Sequence, residues 1–339
     1  MSDGFSAVGG APVRTLSGVQ ILGTGSYVPD NVVTNADLSS LGCDPEWIVQ
    51  RTGIRERRHL PMGLATSDMA VAAAERCLEA AKIDRAEVDL LIVGTMTPDR
   101  LLPAVATKVQ TRLGLNCGAV DLNAACAGFT YALTTAMQFI ATGCSKRALV
   151  IGVDANSRMV DPTDLKTYPL FGDGAGAVLL SAGSPEQGAL AYTIGADGSG
   201  MELLHRPGGG AETPFSLTTT EPNSWYLKMD GRPVFKWAVR LVEDTTRQVL
   251  DAAGLSTEQI DCWLFHQANV RILDAAIEAL GIERERVVMH MDRYGNTSAA
   301  SIPIALDETV RAGGIRRGDH LIMSGFGAGL AWGTIAWRW

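Results

Sequence analysis

A chain of 339 residues that is 46% apolar, with 29 basic against 37 acidic side chains and a net charge of −8, can bury two cores and would repel a nucleic acid unless a strong local basic patch intervened. No run of 18 apolar residues is present, so neither a membrane nor a nucleic acid is an expected partner. The six cysteines (Cys43, Cys77, Cys117, Cys126, Cys144 and Cys262) include no Cys-x-x-Cys pair and the five histidines are scattered, so neither a zinc site nor a disulfide framework has its spacing.

Residues 1–17, with Gly4, Gly9, Gly10 and Pro12, lack the basic start and apolar stretch of a signal peptide and read as a loose tail on a cytoplasmic protein. An amphipathic helix is predicted over 67–81, and the apolar run 90–93 reads as a strand. A second strand, 119–122, leads through Asn123-Ala124-Ala125-Cys126 to an apolar helix from about Gly128 that stops at Gly143, since glycine is favoured just past a helix end. The glycine-rich run 172–176 precedes a strand over 177–180. The stretch 207–223, rich in Gly, Thr and Pro, reads as a surface connection between halves.

The same rhythm then returns. A helix over 234–253 precedes a segment, 253–261, that matches 81–89, and a strand over 262–265 follows. A strand over 287–291 leads to a helix from about Thr297 that stops at Gly313. Cys126 and Asn296 each lie 17 residues before the glycine that ends the helix, which makes them counterparts in a duplicated α/β chain with halves 18–182 and 183–339. A pseudo-twofold relation would aim both helix entrances at one point.

Cys126 sits among small residues after a strand and at the entrance to an apolar helix. A helix N-terminus favours the thiolate, the nucleophilic form, whereas most buried cysteines are inert packing. His266 ends the strand 262–265, where a satisfied core histidine is the commoner reading for an isolated case. Asn296 is a good helix cap whose amide also has groups left for other work. The repeat places all three in one layer. Neither Gly23-Thr24-Gly25 nor the 172–176 run has the spacing and following helix of a dinucleotide site, and the run 325–329 offers either a tight turn or N–H groups for an oxyanion.

From about Val19 to Trp339 the chain resembles the β-ketoacyl-acyl carrier protein synthase III family. Three motifs carry the likeness in order: Ala124-Ala125-Cys126-Ala127-Gly128-Phe129, His266-Gln267-Ala268-Asn269, and Gly295-Asn296-Thr297-Ser298-Ala299-Ala300-Ser301. The resemblance implies a thiolase-like fold, duplicated α/β halves in five αβαβα layers, and a homodimer. It implies that Cys126 takes an acyl group from acyl-CoA, and that His266 and Asn296 then decarboxylate malonyl-acyl carrier protein, with no metal or redox cofactor. The acyl oxyanion would meet backbone N–H groups of Cys126, Gly327 and Ala328. By the same likeness Trp47 and Arg51 contact the CoA nucleotide, and Phe235, Ala268 and Asn269 line the pantetheine channel. Arg271 resembles the basic residue that faces the carrier protein, while Lys236, Arg240 and Arg247, at helical spacing, present either a basic face to an acidic carrier or a solvated helix face. Leu102 falls near the position that limits primer length across the dimer, after a local insertion at Pro98-Asp99-Arg100. Leu165-Lys166 stands where many members have Arg-Gly, whose arginine covers the adenine.

The alternatives divide on single residues. A thiolase needs a second cysteine near Ser324-Gly325-Phe326-Gly327, and a two-histidine synthase needs histidine at Asn296. Chalcone-synthase-like enzymes share the Cys, His and Asn set but differ around Cys126 and Asn296. A non-catalytic partner subunit would have lost the nucleophile. A synthase III homologue of secondary metabolism is the alternative that Leu165 and the insertion before Leu102 keep open.

Overall fold

The computed structural model describes residues 11–215 and 222–339. In chain order it begins with β1 (Arg14–Ser17), β2 (Val19–Tyr27), β3 (Val32–Thr34), α1 (Pro45–Thr52), β4 (Glu56–Arg58) and α2 (Thr66–Ala81). Then come β5 (Leu90–Gly94), α3 (Val105–Leu113), β6 (Gly118–Leu122), α4 (Gly128–Ala141), β7 (Arg147–Ala155) and β8 (Asp173–Ala182). The second half runs β9 (Gly188–Ala196), the short pair β10 (Leu204–His205) and β11 (Lys228–Met229), α5 (Gly231–Ala253), β12 (Cys262–Phe265) and α6 (Val270–Leu280). It closes with α7 (Met291–Tyr294), α8 (Ser301–Arg311), β13 (His320–Gly327) and β14 (Ala331–Arg338).

Two five-stranded sheets result, ordered β2-β8-β7-β5-β6 and β1-β9-β14-β13-β12. One side of the first is parallel, β7 to β5 to the edge strand β6, and all five residues of β5 are buried, as expected for a strand covered on both faces. Helices α2 and α3 pack on the outside of the first sheet, α5 and α6 outside the second, and α4 and α8 lie between the two. The layers are therefore α, β, α, β, α. Phe129, Leu133 and Met137 of α4 share one core with Ile302 and Leu306 of α8, with Val150 of the first sheet, and with Met323 and Ile335 of the second. Each such side chain contributes about 2 kcal/mol of transfer free energy, so the central helix pair is what binds the halves together.

Four expectations need correction. The tail is ordered at its end: β1 pairs antiparallel with β9, through Arg14 with Tyr192 and Leu16 with Ala189, because the edge of the second sheet offers backbone groups that need partners. Residues 14–17 thus precede the first half in sequence and belong to the second half's sheet; residues 1–10 lie outside the described residues. The strand expected over 287–291 is reduced to one bridge, Val287 with Trp263, and Met291 already opens α7. The 172–176 run is mostly not a loop before a strand, since β8 starts at Asp173. The 207–223 connection lies inside the second half, between β10 and β11, with a 3-10 turn at Pro222–Trp225, and residues 216–221 lie outside the described residues.

A buried charge ties α8 to the first sheet. The Asp307 carboxylate, 1% exposed, accepts hydrogen bonds from Thr24 Oγ1 at 2.8 Å and Ser26 Oγ at 2.5 Å, and pairs with Arg311 at 2.7 Å. Asp307→Ala leaves both hydroxyls and the guanidinium without their acceptor, and is expected to lower unfolding stability by about 3 kcal/mol, read as a lower urea midpoint; an unchanged midpoint would refute this tie between the layers.

Candidate active site

The two central helices are entered through the same device. Ala125 N–H donates to Asn123 Oδ1 at 3.1 Å, and Ser298 N–H donates to Asn296 Oδ1 at 2.8 Å. Each turn drives its third residue into the left-handed region, with φ 47° at Ala125 and φ 53° at Ser298, a strain that non-glycine residues carry mainly at functional turns. By this geometry the counterpart of Asn296 is Asn123, and that of Cys126 is Ala299. The equal distances to Gly143 and Gly313 mislead because α4 has 14 residues and α8 has 11. Both turns nonetheless meet between the sheets. Gly152 of β7 makes room for this, since a Cβ there would lie 2.2 Å from the Ala299 carbonyl oxygen.

Cys126, His266 and Asn296 all line one cavity of about 160 Å³, with Phe235, Ala268, Asn269, Gly327 and Ala328 among its other walls. Cys126 is 6% exposed, and burial pushes its thiol up to about 12, against hydrogen bonding from Ser298 that works the other way. The expected thiolate is thus not the resting form, because desolvation outweighs the helix entrance. Gly327 packs directly on the nucleophile: a Cβ there would come 2.8 Å from Cys126 Cβ and 3.2 Å from its sulfur.

The His266 backbone N–H donates to the Ser324 carbonyl at 2.8 Å, and the ring meets Phe326 edge to face at 5.2 Å. Its Nδ1 is buried without a hydrogen-bond partner, which leaves Nε2 as the edge available to the cavity. Burial, and secondarily His290, push the imidazole down to about 3, so it is uncharged at neutral pH. Asn296 is clamped by its backbone, N–H to Leu170 O at 2.8 Å and carbonyl from Gly172 N–H at 3.0 Å. With Oδ1 held by Ser298, its NH2 group is the part free to donate.

The remaining predicted residues lie around this cavity rather than in it. Arg51 stacks on Trp47, 5.1 Å from the ring centre, and Trp47 is 40% exposed. Their helix α1 approaches α6 where Gly53 packs against Val270, the residue after Asn269. Arg271 stacks over Phe235 at 5.6 Å. Lys236 and Arg240 are exposed on α5, whereas Arg247 is engaged by Glu243 and the Ala279 carbonyl and drops out of the expected basic face. Leu102 is 85% exposed and does not line the cavity. Lys166 lies in a separate depression with Asp161, Asp164 and Lys228. Among the described residues no group of three or more His, Cys, Asp or Glu side chains is gathered to hold a metal, and no helix is long and apolar enough to cross a membrane.

Sequence reasoning missed Asp154, which is fully buried at the end of β7. Burial pushes its carboxyl up, and it accepts hydrogen bonds from Thr95 Oγ1, Met96 N–H, Thr97 Oγ1 and, at 3.2 Å, Ala299 N–H. A polar residue ending an apolar strand was the signal, the same one that singled out His266. Met96, Leu170 and Phe171 in the cavity wall had no such signal.

Comparison with known proteins gives this geometry its context. Residues 120–198 match the family description 3-oxoacyl-[acyl-carrier-protein] synthase III, and residues 250–339 that of its C-terminal part. A curated β-ketoacyl-[acyl-carrier-protein] synthase III of Rhodopirellula baltica is 50% identical, covering 96% of this chain and 99% of that protein. The crystal structure of 3-oxoacyl-[acyl-carrier-protein] synthase III from Aquifex aeolicus superposes with a TM-score of 0.87 at 42% identity, over 95% of this chain and 100% of the other. A priming β-ketosynthase of the R1128 polyketide pathway has a TM-score of 0.88 at 36% identity, over 97% and 98% of the two chains. With near-complete coverage on both sides and the thiol, imidazole and amide gathered at one cavity, this chain belongs to the β-ketoacyl-acyl carrier protein synthase III family of condensing acyltransferases.

Proposed function

We propose that the chain condenses an acyl-CoA primer with malonyl-acyl carrier protein through an acyl-Cys126 intermediate, working as a cytoplasmic homodimer at the start of fatty acid synthesis. The observation that supports this best is the convergence of Cys126, His266 and Asn296 on one cavity whose other walls are largely apolar. In the first half-reaction the Cys126 sulfur attacks the primer thioester carbon, the carbon–sulfur bond to CoA breaks, and the thiol proton leaves with CoA. Backbone N–H groups of Cys126 and the Gly327-Ala328 segment are the donors proposed for the oxyanion.

In the second half-reaction the malonyl carboxylate leaves as carbon dioxide and its bonding pair becomes an enolate. An uncharged His266 donating from Nε2, and the NH2 of Asn296, suit the enolate oxygen because neither needs to lose a proton to stabilise it. The enolate carbon then attacks the acyl-Cys126 carbon, and the sulfur leaves as thiolate and takes up a proton from solvent. The stacked pair Trp47 and Arg51 beside the start of α6 supports a CoA nucleotide contact. Phe235, Ala268 and Asn269 line the path inward, and Arg271, Lys236 and Arg240 offer positive charge to an acidic carrier. The dimer reading rests on β6, an edge strand with Val120 48% exposed, and on the nearby apolar Leu101 and Leu102, 86% and 85% exposed. Through such a contact Leu102 would limit the primer of the partner protomer.

Intact-mass measurement after incubation with a panel of acyl-CoAs tests the reading: the wild type is expected to gain one acyl group on Cys126, and Cys126→Ser none. His266→Ala should acylate but lose malonyl decarboxylation by about 100-fold or more; normal decarboxylation would remove His266 from its role. Gly327→Ala places a methyl against Cys126 and is expected to cut acylation by about 100-fold without unfolding the protein, checked by acylation rate and thermal melting. The sign of the thiol shift sets a pH test. With the Cys126 thiol pushed up to about 12, alkylation by iodoacetamide in the free protein should rise about tenfold per pH unit between pH 7 and 9; a rate already flat above pH 7 would mean a standing thiolate.

A further inference from the structure

His290 is fully buried beside the candidate site and has no part in the reaction as derived. A carbonyl oxygen only accepts, so the 3.0 Å contact between His290 Nε2 and Ser301 O fixes the proton on Nε2. Its Nδ1 is then a bare lone pair, and it is buried without a hydrogen-bond partner, as is Nδ1 of His266. Ordinary packing does not ask for such a group, since a buried acceptor left unmatched is unfavourable and an apolar side chain would fill the space without that cost.

The connections of His290 run to both members of the proposed decarboxylating pair. Its backbone N–H donates to Gln267 Oε1 at 3.2 Å, and Gln267 follows His266 in sequence, so the imidazole's own share of the link is the Nε2–H bond to Ser301 O. Gln267 N–H donates to Ser301 Oγ at 2.8 Å, and its Nε2 is spent on the carbonyls of Phe265 at 3.1 Å and Val288 at 2.9 Å. Ser301 opens α8, directly after the turn that Asn296 heads. The loop closes: His266 is joined to Gln267, Gln267 to Ser301 and to His290, and His290 back to Ser301.

We propose that His290 is a positioning residue, which locks the end of β12 that carries His266 to the entrance of α8 that carries Asn296, so that the two donors are held at one oxygen. This rests on the condensing-enzyme reading above. Burial also pushes His290 down, and His290 adds to the burial that pushes His266 down, which preserves His266 as a neutral donor. Among the described residues none of the loop's hydrogen bonds goes to Cys126, so the device serves the second half-reaction.

The test separates the half-reactions in the full-length protein. His290→Leu removes the Nε2–H donor, and His290→Gln retains an N–H able to reach Ser301 O. In His290→Leu, malonyl-acyl carrier protein decarboxylation is expected to fall about 100-fold, with Cys126 acylation within about threefold of wild type and recovery in His290→Gln. Ser301→Ala, which removes the Gln267 acceptor and keeps the carbonyl, should show the same split in smaller measure, and it carries the test if His290→Leu does not fold. Normal decarboxylation in the folded variants, a parallel loss of acylation, or a glutamine variant as impaired as leucine would overturn the proposal alone. Failure of the wild type to decarboxylate would instead remove the reading it rests on.

Discussion

Everything at the centre of this protein depends on two asparagine-headed turns that meet between two sheets. At each, a side-chain oxygen captures the N–H two residues on, at Asn123 with Ala125 and at Asn296 with Ser298. The capture holds a non-glycine residue in the left-handed region and so fixes the direction in which a buried helix starts. One turn is followed by the Cys126 thiol and the other is headed by the Asn296 amide. Backbone without side chains lets each turn seat against a sheet, the second turn at Gly152 of β7 against Ala299 and the first at Gly327 of β13 against Cys126. The five layers serve to press these two turns together.

Burial then decides the charge state of the site. The same desolvation raises the Cys126 thiol and lowers the His266 imidazole, so both rest uncharged rather than as a thiolate and imidazolium pair. That arrangement suits a site that must stabilise an enolate by donated hydrogen bonds in one step and release a thiol proton in another. The buried Asp154 carboxyl is itself kept in place by donors from the loop after β5 and from Ala299, so it braces the Asn296 turn against the first sheet.

Much of the frame was legible from local pattern. The helices expected over 67–81 and 234–253 run from Thr66 and Gly231 to the expected ends, and β12 is found at 262–265 as read. These elements follow periodicity and local caps, Lys82 after α2 and Gly254 after α5, which are properties of short stretches. The failures had a common cause: β1, the lost strand after Val287, and the pairing of Cys126 with Asn296 all turned on contacts distant in sequence. Asn123 and Asn296 were both visible as helix-entry residues, yet only the hydrogen bonds to Ala125 and Ser298 identify them as equivalents, since the helices that follow differ in length.

By itself the sequence determined a duplicated α/β chain, the family, and the identity of the thiol, imidazole and amide at its centre, because motif spacing and hydrophobic period are encoded residue by residue. Only the tertiary structure decided that these three share one cavity, that the thiol and imidazole rest uncharged, and that His290, Ser301 and Gln267 join their supports. Those are consequences of desolvation and of contacts across many residues of chain, and neither has a local signature.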